Sequence, residues 1–127
     1  MVIELGSRRS VTLVAAAAIA WLGMLAHNIL SLPLSPLSPE NVGPLLVWAG
    51  LLGVYVLSRG ANAARFGLLV WTSANLVVGG ILSVLPLPIW PWSPEQTVGH
   101  YAAHAMYALA QVPLLWLLLR PGRLGLT

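Results

Sequence analysis

The chain contains no cysteine, no lysine and no aspartate. Without cysteine there are no disulfides, thiolate metal sites, iron–sulfur ligands or thiol redox chemistry. Without lysine there is no Schiff base of the retinal type. The only acids are Glu4, Glu40 and Glu95, and none lies inside an apolar run. Proton-coupled transporters usually carry the proton on an intramembrane carboxylate, and carboxylate-bridged di-iron bundles need several. Both classes are therefore disfavoured. Charge of either sign is scarce. Only 7% of the 127 residues are charged and 58% are apolar, whereas a soluble domain carries roughly a quarter charged residues. Disordered chains are polar and charged, so disorder is excluded too. The composition is that of a polytopic membrane protein.

Four stretches reach the length of about 20 apolar residues that a bilayer crossing requires. They run over about residues 11–32, 39–58, 64–85 and 94–119. The expected fold is all-α, a single four-helix transmembrane domain spanning residues 1–127. Six arginines supply the basic charge: Arg8, Arg9, Arg59, Arg65, Arg120 and Arg123. All sit at one set of helix ends, and the two Pro-rich loops between the other ends have none. The positive-inside rule then predicts cytoplasmic N- and C-termini and extracytoplasmic Pro-rich loops. No clean small-residue cleavage site follows Arg8-Arg9, so the first span is expected to be a helix rather than a secretory signal. The net charge of +3 is topological and implies no nucleic-acid partner.

The two Pro-rich loops resemble each other. Ile29-Leu30-Ser31 and Ser38-Pro39-Glu40 in the first match Ile81-Leu82-Ser83 and Ser93-Pro94-Glu95 in the second. The match predicts an internal repeat of two tandem parallel hairpins, related by an axis along the membrane normal. Ser-Pro-Glu is also a good helix start. Ser38 and Ser93 suit the N-cap, Pro39 and Pro94 the first helical position, and Glu40 and Glu95 the positive end of the dipole. Gln96 falls where a capping box wants it. Both glutamates therefore read as structural. Trp90 and Trp92 read as interfacial anchors, with docking of a partner as the alternative.

In lipid the informative residues are polar ones. His100, His104, Tyr107 and Gln111 fall on one stripe of the fourth helix. Thr72, Asn75, Gly79 and Ser83 form a stripe on the third, and Ala20, Met24, His27 and Ser31 one on the first. The second helix offers glycines but almost nothing polar, so it is expected to lie outside or to face another subunit. Pro113 should kink the fourth helix. At 1.5 Å per residue all three histidines fall at a common depth, roughly 5–13 Å from the midplane on the loop side. The stripes predict that His104 faces the interior near His27 or Asn75.

His-x-x-x-His places two imidazoles on one helix face, as transition-metal sites do. His27 would complete three nitrogens for copper or zinc, and Met24 would add a soft sulfur. A haem or other tetrapyrrole held by His27, His100 or His104 is a second reading. A hydrogen-bonded cluster without a ligand is a third. Asn75, Tyr107 and Gln111 read as interhelical polar contacts. The chain is small and has no recognisable catalytic set. The leading expectation is a non-catalytic subunit of a larger membrane complex, holding a metal or tetrapyrrole at the histidines. The alternatives are an oligomeric transporter or binding protein for a transition-metal ion, and an intramembrane redox enzyme. The expected partners are the lipid bilayer together with other membrane subunits or further copies of the chain.

Overall fold

The computed structural model describes residues 2–120, with side chains from Arg8 onward. The described chain is all-helical, and four of its helices are long and apolar enough to cross a membrane. Helix α1 covers Val2–Ser31, α2 covers Pro39–Leu57, and α3 begins at Asn62 and is regular to Ala74. The third span then continues through a π-helical turn, Asn75–Ile81, and a 3₁₀ turn, Leu82–Val84. Helix α4 covers Val98–Leu119. Glu4 and Arg123 lie outside the residues whose side chains are described.

Several boundaries differ from those expected, each for a local reason. Helix α1 begins before Val11 and takes in Arg8 and Arg9, with the Thr12 hydroxyl donating to the Arg8 carbonyl at 2.9 Å. The third span does not run as one α-helix to Leu85, because the Asn75–Ile81 segment with its Gly79-Gly80 pair widens into a π turn. Helix α4 starts four residues later than Pro94. Its cap is Thr97, whose hydroxyl accepts from the His100 N–H at 3.3 Å. Ser93, Pro94, Glu95 and Gln96 stay in the linker. The Gln96 side-chain amide donates to the Val84 carbonyl at 2.9 Å, and its oxygen accepts from Tyr101. Ser93 is thus no N-cap, Glu95 is not in a first turn, and Gln96 forms no capping box. At the other linker Ser38 is the N-cap residue and Pro39 the first helical residue, as expected. The Ser38 hydroxyl nevertheless caps nothing and accepts from the Asn41 amide at 3.2 Å.

Small residues allow close helix approach, which substitutes in lipid for a hydrophobic driving force. Helix α1 lays Ala16, Ala17 and Ala20 into the buried core, and a methyl group added at Gly23 would overlap Ala110 of α4. The π turn is as close to α4 on the other side. A Cβ on Gly79 would lie 2.5 Å from the Tyr107 hydroxyl, and one on Gly80 would lie 2.8 Å from the Ala108 Cβ. Helix α4 is therefore the central element, gripped by α1 and by the third span. Helix α2 is not confined to the outside. Trp48 and Asn41 are buried, the Trp48 indole donates to Thr72 at 3.4 Å, and the Asn41 carbonyl accepts from Trp21 at 2.9 Å.

The ends of the bundle differ in chemistry. The linkers between α1 and α2 and between the third span and α4 share one end with all three histidines. The described arginines are at the other. There the Arg65 guanidinium donates to the Leu118 carbonyl at 2.7 Å, and the Arg120 guanidinium stacks 3.3 Å above the Trp116 ring.

Candidate metal centre

Four helical segments build one polar cluster at the linker end of the bundle. His27 arrives from the last turns of α1, His100 and His104 from the first turns of α4. All three are buried, and one ring nitrogen of each lies within 4.8 Å of one of each of the others. His27 Nε2 and His104 Nε2 are 2.9 Å apart. The ring centroids of His100 are 4.6 Å from His104 and 5.8 Å from His27. Among the described residues this is the group of histidines, cysteines and acids able to share a metal ion.

The surrounding hydrogen bonds favour one tautomer at His27 and at His104. Asn41 aims its amide nitrogen at the Ser35 carbonyl at 2.8 Å, so its Oδ1 points the other way. That oxygen accepts from the Asn28 amide nitrogen at 2.8 Å. Asn28 Oδ1 is thereby the atom that faces His27 Nδ1 at 3.0 Å, which favours the tautomer with His27 Nδ1 as donor. On the other side His104 Nδ1 faces the carbonyls of Gly79 and Gly80 at 3.1 and 3.2 Å. A carbonyl only accepts, so His104 Nδ1 is also a donor. In a neutral imidazole the other nitrogen then carries a lone pair. With that tautomer at both rings, the two Nε2 atoms 2.9 Å apart each present a lone pair, an arrangement that a shared proton or a metal ion would complete. Neither ring nitrogen of His100 has a hydrogen-bond partner although both are buried, and in the neutral ring one of the two carries a lone pair.

This is the arrangement of outer-sphere contacts found around metal-bound imidazoles, where the non-ligating N–H donates to a carbonyl or carboxylate and locks the tautomer. The π turn has a part in it. Interrupting the α ladder directs the Gly79 carbonyl to side chains, and it also accepts from the Ser83 hydroxyl at 2.6 Å. Single-turn π segments of this kind concentrate at functional sites.

The other residues singled out in the sequence are placed as follows. The Tyr107 hydroxyl donates to Asn75 Oδ1 at 2.7 Å, joining α4 to the third span, and the Tyr107 ring centroid lies 5.6 Å from that of His27. Gln111 donates to the Ala20 carbonyl at 3.0 Å, joining α4 to α1. Met24 is buried three residues before His27 on α1. Two residues that matter most to the site were not singled out, Asn28 and Asn41. Asn28 sits off the His27 stripe by one residue. Asn41 follows the Ser-Pro-Glu signal and is hidden behind it. Their signal was rarity, since a polar amide within an apolar stretch is costly without a partner.

A cavity of about 520 Å³ lies over the cluster. It is lined by all three histidines and, from the linker, by Trp92 and Glu95. Glu95, read from the sequence as a helix-start residue, thus lines the approach to the histidines. No protein-family model matches the chain, and no curated protein or solved structure is significantly similar to it.

Proposed function

We propose that the protein binds one transition-metal ion through His27, His100 and His104 in the plane of the bilayer's linker-side half. The observation that supports this best is the convergence of three buried imidazoles, with His27 Nε2 and His104 Nε2 2.9 Å apart and both nitrogens of His100 unpartnered. A shared proton would join His27 to His104 and leave His100 without a bond. A metal ion satisfies all three. Metal–nitrogen bonds of about 2.0–2.1 Å in tetrahedral geometry separate the ligand atoms by about 3.3 Å. The 2.9 Å spacing of the two Nε2 atoms is a few tenths of an ångström from that. Three imidazoles with no thiolate suit zinc or copper.

A tetrapyrrole fits less well. Two axial imidazoles stand about 4 Å apart, twice one metal–nitrogen bond, with a wide macrocycle between them. Nε2 atoms 2.9 Å apart leave no room for it.

The described chain is one helical bundle with short connections. We read it as a metal-holding membrane protein that works beside other membrane chains or further copies of itself. The arginine distribution supports cytoplasmic termini, with the metal centre on the outer side. The duplication of two parallel hairpins has the likeness of the linker sequences as its support, and superposition of α1 and α2 on the third span and α4 tests it.

The direct test is elemental analysis of the purified full chain, together with the visible spectrum after cobalt(II) substitution. About one metal per chain is expected, with cobalt bands of a nitrogen-ligated four-coordinate ion. His104→Leu should abolish both. Absence of bound metal at micromolar zinc, copper and cobalt overturns the proposal, as does a Soret band in the native protein. Mass spectrometry of what copurifies from the native membrane identifies any companion chain. Reporter fusions after Arg120 and at Ser35 test sidedness and should report opposite faces.

A further inference from the structure

The cavity over the histidines has a composition unlike the rest of the bundle. Hydroxyls of Ser31, Ser83 and Ser93 line it, together with Glu95 and Trp92. A second cavity of about 510 Å³ also touches Ser31, Glu95 and His100. Glu95 thus borders both spaces that reach the imidazoles. It is exposed and forms no part of a helix start, since α4 begins only at Val98. In a chain with three carboxylates, one of them stands over the only cluster of described histidines.

The number of ligands points the same way. Structural zinc sites are closed by four protein ligands, whereas sites that exchange or activate a ligand keep three and leave the fourth position to solvent. Here the described histidines and acids supply three, and the cavity adjoins all of them.

Resting on the metal-binding reading above, we infer that the tris-imidazole site has a fourth, exchangeable position facing this cavity, and that Glu95 draws divalent cations from the linker-side solvent into it. The ion is then a cargo or a reactive centre rather than a structural staple. The fourth ligand is water or a small anion. Glu95 acts at a distance through its field, which a low-dielectric wall focuses toward the cavity. The cavity hydroxyls provide oxygen atoms for a partly hydrated cation on its way inward.

The test uses the full chain in lipid nanodiscs and cobalt(II) as the probe. Azide added to the cobalt-loaded protein should shift the visible bands, because it replaces the solvent ligand. An unchanged spectrum at saturating azide overturns the open position and means that a fourth protein group, such as the Met24 thioether, closes the site. Stopped-flow loading measures the role of Glu95. Glu95→Gln should slow cobalt association about 3- to 10-fold at low ionic strength, and the difference should shrink at high salt. Glu40→Gln removes a charge at the same end of the bundle, from the first turn of α2, and should leave the rate as it was. Equal rates for Glu95→Gln and the parent chain overturn the role of Glu95. A rate loss shared equally by Glu40→Gln does the same, since it would reduce the effect to net charge. In both cases the final cobalt spectrum should match the parent's. If the parent chain binds no cobalt at all, the metal-binding reading itself fails, which is a different result from any of these.

Discussion

Replacing His100 by leucine should stabilise the metal-free protein and destabilise the metal-loaded one. Both ring nitrogens of His100 are buried without a hydrogen bond. A buried polar group left unsatisfied costs roughly 1–3 kcal/mol, and an apolar group of similar shape removes that cost. We expect His100→Leu to gain about 1.5 kcal/mol in chelator, which for a domain of this size is a rise of about 6 °C in melting temperature. Metal acts in the opposite direction. A ligand present at 100 times its dissociation constant stabilises the folded chain by about 2.7 kcal/mol. Loss of one of three imidazoles should weaken binding at least about 100-fold, the upper end of what even an outer-sphere partner costs. The same metal concentration then stabilises the variant by only about 0.4 kcal/mol. The order of stabilities should therefore invert between chelator and zinc, with the variant ahead by about 1.5 kcal/mol in the first and behind by about 0.8 in the second. Denaturation in mixed detergent micelles, with chelator or with zinc, measures both. A variant that is less stable in chelator and keeps the full zinc shift refutes the reasoning, because the imidazole would then be a packing element with an unrecognised partner.

Three further outcomes follow from the same geometry. Asn28→Leu removes the acceptor that holds His27 Nδ1 and should lower zinc affinity about 10- to 100-fold while keeping one site per chain, read by competition with a chromogenic chelator. Gly80→Val places side-chain atoms where a Cβ alone would approach Ala108 to 2.8 Å. It should cost about 1–3 kcal/mol of stability and also weaken metal binding, because His104 would be pushed off its carbonyls; unchanged stability would show that the third span and α4 are not pinned there. Acidification should release the metal. Each imidazole binds metal only in its neutral form, so protons compete at three ligands and affinity must fall as pH falls. Zinc titrations that show equal affinity at pH 5 and pH 8 would contradict ligation by histidine.

The four spans were legible because a bilayer imposes length and apolarity on any helix that crosses it, and those two quantities survive in sequence without reference to neighbours. The ends were less legible. Ser93-Pro94-Glu95-Gln96 carries every local feature of a helix start, yet the helix begins only at Val98, capped by Thr97. Gln96 is engaged by Val84 and Tyr101, contacts between segments that no local rule contains. The near-identical Ser38-Pro39-Glu40 does begin a helix at Pro39. Two segments with the same signal fold differently because what competes for their polar atoms differs.

The site was legible to a comparable depth. Periodicity brought His100 and His104 to one face and matched them in depth to His27, and the 2.9 Å approach of His27 to His104 is what that match implies. Periodicity could not supply the proton positions, on which the chemistry depends. Those are set by a relay that begins at the Ser35 carbonyl in a linker, passes through Asn41 on α2 and Asn28 on α1, and ends at His27 Nδ1. Every member is a neutral amide or carbonyl, and each has a fixed donor and acceptor sense once its neighbour's is known. From the opposite side the π turn fixes His104 in the same sense. A relay that served only to satisfy buried polar groups would end with a donor meeting an acceptor. In the tautomers it favours, this one ends with two ring nitrogens facing each other lone pair to lone pair and a third unbonded imidazole beside them. The proposed metal ion would complete that arrangement, and three nitrogens are one more than a proton can use.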